Sequence, residues 1–155
     1  MIYLASDHGG YALKEKLKEW LKGRKIPHKD FGPASLDPED DYPDYVLPLA
    51  AAVAKDNVKG IVICRNGQGA AIAANKTPGI RAAVCLDTHC ATSSRNDDDA
   101  NILSLPGDYL TLAQAENIVS NWLFTPFSHH ARHVRRLAKL ADFEQEIDKK
   151  RGTNA

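Results

Sequence analysis

Short apolar runs alternate along this chain with amphipathic stretches, and glycine or polar turns separate them. Residues 2–5 (IYLA) form the first apolar run, and the turn at 6–10 (SDHGG) follows it directly. In residues 11–24, leucines and a tryptophan recur at helical spacing between lysines and glutamates, and Gly23 marks the end of that stretch. The pattern predicts a strand, a glycine turn and a helix, which together open a βαβ unit.

The same alternation continues to the end of the chain. Further strands are predicted at 26–31, 60–64, 80–84 and 101–105, and further helices at 44–56, 70–76, 88–97, 111–124 and 131–149. Pro48 lies inside the second helix and should kink it or move its start, while Thr111 or Asp108 can cap the fifth. Strand and helix thus alternate five times, which predicts an α/β fold with a five-stranded, mainly parallel sheet and helices on both faces.

Length and composition narrow the class of protein. The 155 residues suit one domain, which we place at 1–150 with a loose tail at 151–155. Twenty basic residues balance twenty acidic ones, so bulk charge gives no case for a nucleic-acid or membrane partner. Neither a spanning apolar run nor a signal peptide is expected. Three irregularly spaced cysteines argue against a disulfide framework and fit the cytoplasm. The sequence has no cysteine or histidine pair with zinc-ligand spacing, so no structural metal site is expected.

Ligands in parallel α/β sheets bind at the carboxyl ends of the strands, so the residues that follow each strand are the candidates. Asp7 and His8 follow the first strand, and Cys64 with the loop 65–69 follows the third. Asp87 follows the fourth strand, and Asp108 lies just after the fifth.

The loop Cys-Arg-Asn-Gly-Gln-Gly at 64–69 has the clearest chemistry. Gly67 and Gly69 allow a tight turn whose amides, with the start of the next helix, can hold a phosphate or a developing enolate oxygen. The same helix terminus favours the thiolate form of Cys64, which could then act as a base on a carbon acid. The alternative is a buried cysteine that ends a core strand, followed by glycines that only turn the chain.

Two other groups of residues have open interpretations. Asp7 either contacts a ligand or caps the first helix, while the glycines beside His8 invite close approach by a ligand. Arg132 and Arg136 are four residues apart and share a helix face, which suits a phosphate clamp. The alternative for that pair is a solvated basic face. Cys85 and Cys90 look structural.

Taken together, these motifs resemble the type B ribose-5-phosphate isomerases and their galactose-6-phosphate isomerase relatives. The resemblance covers nearly the whole chain in order: SDHGG at 6–10, DYP at 41–43, GIVIC-x-x-G-x-G at 60–69, IAANK at 72–76, GIRAAVC at 79–85, DDANIL at 98–103 and ARHVRR at 131–136. IAANK followed closely by GIRAAVC is a specific combination.

The resemblance implies a Rossmann-like three-layer sandwich and a homodimer or tetramer whose active sites lie at the dimer interface. It implies cofactor- and metal-free interconversion of ribose 5-phosphate and ribulose 5-phosphate through an enediolate, with Cys64 as the base. The substrate-binding residues that it implies are Asp7, His8, Tyr42, Arg65, Asn66, Gly67, Gln68, Gly69, Asp98, Arg132 and Arg136.

The chain departs from the family pattern at three places around the substrate. The family has His-Asn where this chain has Asp97-Asp98, and that histidine is associated with opening of the sugar ring. Asp97 is therefore the second candidate catalytic residue, although aspartates ordinarily ionise at about pH 4. Asp108 replaces a phosphate-binding arginine and should repel phosphate. Arg65-Asn66 replaces Gly-Thr, and Arg65 could supply the missing positive charge from another direction.

These departures leave two alternatives to a ribose-5-phosphate isomerase. One is an isomerase for another sugar, such as a hexose 6-phosphate. The other is a homologue that binds sugar phosphates with impaired catalysis.

Overall fold

The computed structural model describes residues 1–152 as a five-stranded sheet with helices on both faces. The strands are β1 (Ile2–Ser6), β2 (His28–Asp30), β3 (Lys59–Cys64), β4 (Ala82–Val84) and β5 (Ile102–Pro106). The helices are α1 (Tyr11–Gly23), α2 (Tyr42–Asp56), α3 (Gln68–Ala74), α4 (Thr88–Asp98), α5 (Leu112–Phe124) and α6 (Ala131–Gly152). Every strand pair is parallel, in the order β2-β1-β3-β5-β4, so the predicted three-layer α/β fold is confirmed.

Alternation along the central strands divides the core into two layers. Successive side chains of a strand point to opposite faces, so Ile61 and Ile63 of β3 pack with α1, α4 and α5, while Val62 and Cys64 pack with α2 and α3. A strand buried on both faces has to be apolar throughout, which explains why the sequence signal for β3 was strong.

Element ends differ from the predicted ones by a few residues. Pro48 lies inside α2 without ending it. Proline has no N–H to donate to the carbonyl of Asp44, four residues earlier, but both positions are exposed and water can bind that carbonyl. Thr111 caps α5 as predicted, and its hydroxyl accepts a hydrogen bond from the Gln114 amide at 3.3 Å. Helix α6 reaches Gly152, past the predicted end at Lys149, and residues 153–155 of the predicted tail lie outside the described residues.

The strand order places a topological switch point between β1 and β3. From β1 the chain crosses to β2 on one side and later returns to β3 on the other, so the crevice at the ends of β1 and β3 is free of a crossover. We call the end of the sheet where strands finish the carboxyl edge, and the end where they start the amino edge. No helix within residues 1–152 combines the length and apolarity needed to cross a bilayer.

Candidate active site

The turns that follow β1 and β3 lie against each other at the switch point. The amide of Asp7 donates to the carbonyl of Ile63 at 3.3 Å. Gly10 packs so closely on Ile63 that a Cβ would collide with the Ile63 carbonyl group. Only a glycine permits this approach, and it brings the Asp7-His8 turn beside Cys64.

Cys64 is the last residue of β3, and its side chain turns into the loop that follows. The residue is 4% exposed, and its Sγ lies 3.9 Å from Oδ1 of Asn66. The same Asn66 oxygen accepts the Gln68 amide at 3.0 Å, and Gly67 adopts φ +75°. The Gly67 carbonyl accepts the Ser104 hydroxyl at 2.6 Å. The loop is thus held by Asn66 and by β5, and its glycine is required by the left-handed conformation.

Tyr42 reaches this loop from the start of α2. A Cβ on Gly69 would lie 2.8 Å from Cζ of Tyr42, so the ring lies directly over the glycine. Two elements far apart in sequence therefore meet at the carboxyl edge, and the second glycine of the loop serves close packing.

Asp7 and His8 carry the ionisable groups beside Cys64. Asp7 is 6% exposed, and burial raises the pKa of its carboxyl group, with the charge of Asp40 acting in the same direction. The Gly10 amide, which donates to Asp7 Oδ1 at 3.0 Å, opposes that rise in pKa. This bond closes the turn just before α1 and is not a side-chain cap of that helix, whose N-cap residue is Gly10.

Asp40 binds His8, a contact that the sequence did not predict. Its Oδ1 accepts the backbone amide of His8 at 2.8 Å and lies 2.8 Å from His8 Nδ1. This hydrogen bond is the main cause that raises the pKa of His8 above its ordinary value, and burial opposes the rise. The signal in the sequence was the acidic run at 37–44, but the run does not say which carboxylate turns inward.

Arg65 and Asp108 compensate each other at the rim of the carboxyl edge. Nη1 of Arg65 lies 3.5 Å from Oδ2 of Asp108, and both side chains are well exposed. The amide of Asp108 donates to the Arg65 carbonyl at 2.9 Å, which ties the two loops together. The repulsion that Asp108 alone would exert on a phosphate is therefore offset by a guanidinium group, and that same pairing reduces the positive charge Arg65 can offer.

The remaining predicted residues lie at the amino edge of the same chain. Asp97 and Asp98 close α4 just before β5 starts, whereas Cys64 ends β3, and parallel strands put these positions at opposite edges. Asp97 Oδ1 lies 3.8 Å from Nδ1 of His133, and His133 Nε2 accepts from Nε of Arg132 at 2.9 Å. Arg136 follows on α6, exposed like Arg132. The structure therefore separates this group from Cys64 within one chain.

Two cavities of the described chain also lie away from Cys64. One, of about 590 Å³, runs between α6 and β4 and is lined by Leu137, Leu140 and Phe143. The other, of about 480 Å³, opens at the amino edge near Lys59 and Arg95. Neither cavity is lined by any of the residues placed above at the carboxyl edge, so the candidate site around Cys64 lies outside both cavities.

Comparison with known proteins places this arrangement in a family. A family model described as Ribose/Galactose Isomerase matches residues 2–140. The chain is 41% identical over 146 residues to the probable ribose-5-phosphate isomerase B of Mycoplasma pneumoniae, covering 94% of this chain and 95% of that protein. A solved ribose-5-phosphate isomerase B from Clostridium thermocellum is 44% identical with a TM-score of 0.90, covering 94% and 98% of the two chains. The Mycoplasma genitalium enzyme, solved with bound ribulose-5-phosphate, is 37% identical with a TM-score of 0.89, covering 94% and 96%.

Proposed function

This chain belongs to the ribose/galactose isomerase family, and from that premise we propose that it interconverts ribose 5-phosphate and ribulose 5-phosphate. The observation that carries the proposal is the position of Cys64, which ends β3 at the switch point beside Asp7 and the glycine loop. Support comes from the Mycoplasma genitalium relative, which is solved with bound ribulose-5-phosphate.

In the proposed reaction the Cys64 thiolate removes the proton from C2 of the open-chain aldose. The C–H electron pair forms the C1=C2 double bond, and the aldehyde oxygen becomes the enediolate oxyanion. Loop amides between Asn66 and Gly69 stabilise this charge. The thiol then returns the proton to C1 while the proton of the C2 hydroxyl passes to the C1 oxygen, which gives the ketose. Electrons move only within the sugar, so the chemistry requires neither a redox cofactor nor a metal.

A second copy of the chain completes the site in this proposal. Asp97, Asp98, Arg132 and Arg136 lie at the amino edge, across the sheet from Cys64 of their own chain. In a two-fold dimer, contact between the carboxyl edge of one copy and the amino edge of the other occurs twice, so both sites are completed together. Arg132 and Arg136 would bind the phosphate across the interface, and Asp97 would act in ring opening. Three free cysteines are consistent with a cytoplasmic location.

The reaction is tested by a coupled assay for ribulose 5-phosphate formation. We expect activity from the unmodified chain and none above background from Cys64→Ala. Folded protein without activity on ribose 5-phosphate would contradict the proposed substrate, and a panel of aldose phosphates would then identify another.

Sharing of the site is tested by mixing two inactive variants. In a Cys64→Ala and Arg132→Ala heterodimer, one site keeps both its cysteine and its arginine, so a random mixture should regain about a quarter of full activity. A mixture that stays inactive, although the subunits exchange, would place the complete site within one chain.

A further inference from the structure

His8 and Asp40 form a connected pair across 32 positions of sequence. Oδ1 of Asp40 accepts the His8 backbone amide and lies within hydrogen-bond distance of His8 Nδ1, both at 2.8 Å. The Asp40 carbonyl oxygen lies a further 3.2 Å from the same ring nitrogen. One residue therefore fixes both the backbone and the ring of His8, which leaves the imidazole little freedom to rotate.

Asp40 is buried at the point where it makes these contacts. Its side chain is 4% exposed, against 24% for that of His8. Its second carboxylate oxygen, Oδ2, is buried without a hydrogen-bond partner in residues 1–152. A buried carboxylate is costly unless a positive charge lies beside it, and the ring of His8 is placed to carry that charge.

The loop around Asp40 is itself held in place. Asp37 forms a turn in which Oδ1 accepts the Glu39 amide at 3.0 Å, and the Asp37 carbonyl accepts the Asp40 amide at 3.3 Å. Two residues later α2 begins at Tyr42, which packs over the glycine loop. Asp40 therefore links the start of α2 to the turn after β1.

Two ionisable groups, Asp7 and Tyr45, lie beside the pair. The hydrogen bond to Asp40, helped by the charge of Asp7, favours a proton on His8 and outweighs the opposing effect of burial. The pKa of His8 is therefore raised. Tyr45 of α2 faces Asp40, and burial together with the Asp40 charge raises the pKa of its phenol. Each of these groups is anionic or neutral near pH 7, so none competes with His8 as the positive partner of Asp40.

We propose that Asp40 is a positioning residue that turns Nδ1 of His8 inward and presents its Nε2–H to an oxygen of the bound sugar phosphate. This inference rests on the proposed function. The carbonyl oxygen and Oδ1 of Asp40 both accept from Nδ1–H, so Nε2 also carries a proton, and can donate to a ligand, when His8 is the imidazolium that the Asp40 carboxylate favours. The acceptor is either a phosphate oxygen or a sugar oxygen, and these share the same chemistry.

The first test follows the ring itself and does not depend on catalysis. The imidazole of His8 is titrated by NMR, with His8→Gln used to identify its signal among six histidines. We expect its pKa above the ordinary value of about 6.5 and a clear fall in Asp40→Asn. The matched control is Asp41→Asn, which removes an exposed neighbouring charge that makes no side-chain capping bond. An unshifted His8 in the unmodified protein would overturn the inference even if the enzyme is active.

The second test measures kinetics between pH 6 and pH 9 in the unmodified protein, Asp40→Asn and Asp41→Asn. Loss of a charge-assisted contact should lower kcat/KM of Asp40→Asn about tenfold near pH 8, with recovery toward low pH as His8 regains its proton. A merely structural role would lower activity equally at every pH, and that result would overturn the inference.

Inhibition by inorganic phosphate separates the two possible acceptors. A larger inhibition constant for phosphate in Asp40→Asn, meaning weaker binding, places Nε2 on the phosphate. An unchanged inhibition constant together with reduced kcat/KM places Nε2 on a sugar oxygen. If neither quantity changes, Asp40 does not position His8. Absence of isomerase activity in the unmodified protein would remove the proposed function but leave the NMR result to decide the His8–Asp40 pairing.

Discussion

The ring of Tyr42 lies over Gly69 so closely that a Cβ on the glycine would stand 2.8 Å from Cζ and 2.9 Å from Cε1 of the tyrosine. Gly69 is helical and not in the left-handed region, so its small size, not its backbone freedom, is what the site requires. The glycine loop and the start of α2 therefore share one surface at the carboxyl edge.

Replacing Gly69 should impair the site more than the fold. In Gly69→Ala the Tyr42 ring has to move away from the loop, while the new residue suits a helix, so the free energy of unfolding should change by only about 1 kcal/mol. Tyr42 is an expected substrate contact, so its displacement should lower kcat/KM on the order of tenfold. Gly23→Ala is the control, because a Cβ there meets nothing within 4 Å. Equal kinetics for the two variants would show that Tyr42 does not touch substrate.

Removing the Cys64 thiol should abolish turnover and keep the fold. General acid–base groups contribute about 10²–10⁴-fold to the rate, so kcat of Cys64→Ala should fall by at least about a hundredfold. Circular dichroism and thermal melting should change little, because only one small buried atom is lost, at a cost of about 1 kcal/mol. Cys90→Ala, at a half-buried position on α4, is the matched control. Turnover retained by Cys64→Ala would exclude the thiol as the base.

Asp97→Asn should slow the conversion of ribose 5-phosphate, which exists mainly as a closed ring. Loss of an acid–base group in ring opening is expected to reduce kcat/KM on the order of a hundredfold. The control is Asp142→Asn, which makes the same charge change at an exposed position on α6. An unchanged rate would show that ring opening does not use Asp97.

Cys85 should resist alkylation in the native protein. The residue is fully buried, and burial raises the pKa of its thiol to about 11, so almost no thiolate is present at pH 8. After treatment with iodoacetamide, peptide mass spectrometry should find Cys85 unmodified until denaturant is added. Rapid labelling of Cys85 at pH 8 would mean that α4 and β5 open readily.

The pair of Asp30 with Lys14 should make stability depend on pH in the acidic range. Lys14 is fully buried, with Nζ 2.9 Å from both oxygens of Asp30. Burial opposes ionisation of Asp30, but Lys18 and Lys14 outweigh it, and the pKa of the Asp30 carboxyl group is lowered. Its contribution is therefore complete above the unfolded pKa of about 4 and is lost as the pH falls through the lower folded value.

Denaturation of Asp30→Asn at several pH values measures that contribution. The variant removes the nearer of the two carboxylates beside the buried ammonium group and leaves Glu15 at 3.4 Å. It should lose about 2 kcal/mol at pH 7, a value reduced because Asp30 is partly exposed. The difference from the unmodified protein should shrink below pH 4. Lys18→Met keeps the Lys14 contact and should cost less. A difference that is constant from pH 7 to pH 3 would contradict the electrostatic origin.

Local patterns in the sequence determined most of the fold. The uninterrupted apolar run at 60–64 specified a strand buried on both faces, and Thr111, one of two caps predicted for the fifth helix, lies where α5 begins. Both signals act between near neighbours. The alternation of strands with helices then implied a parallel sheet, and the strand ends pointed to Asp7, His8 and Cys64 as candidate residues.

The tertiary structure decided which side chains meet. The contacts of His8 with Asp40 and of Arg65 with Asp108 form only where loops that follow different strands lie together. The hydrophobic periodicity of the sequence does not predict such contacts. The separation of Asp97 from Cys64 likewise follows from strand direction, since α4 returns along the sheet before β5 starts. The sequence alone thus determined the elements and the edge where chemistry is expected. Long-range packing decided the partners, because contacts between residues distant in sequence depend on how the layers close over one core.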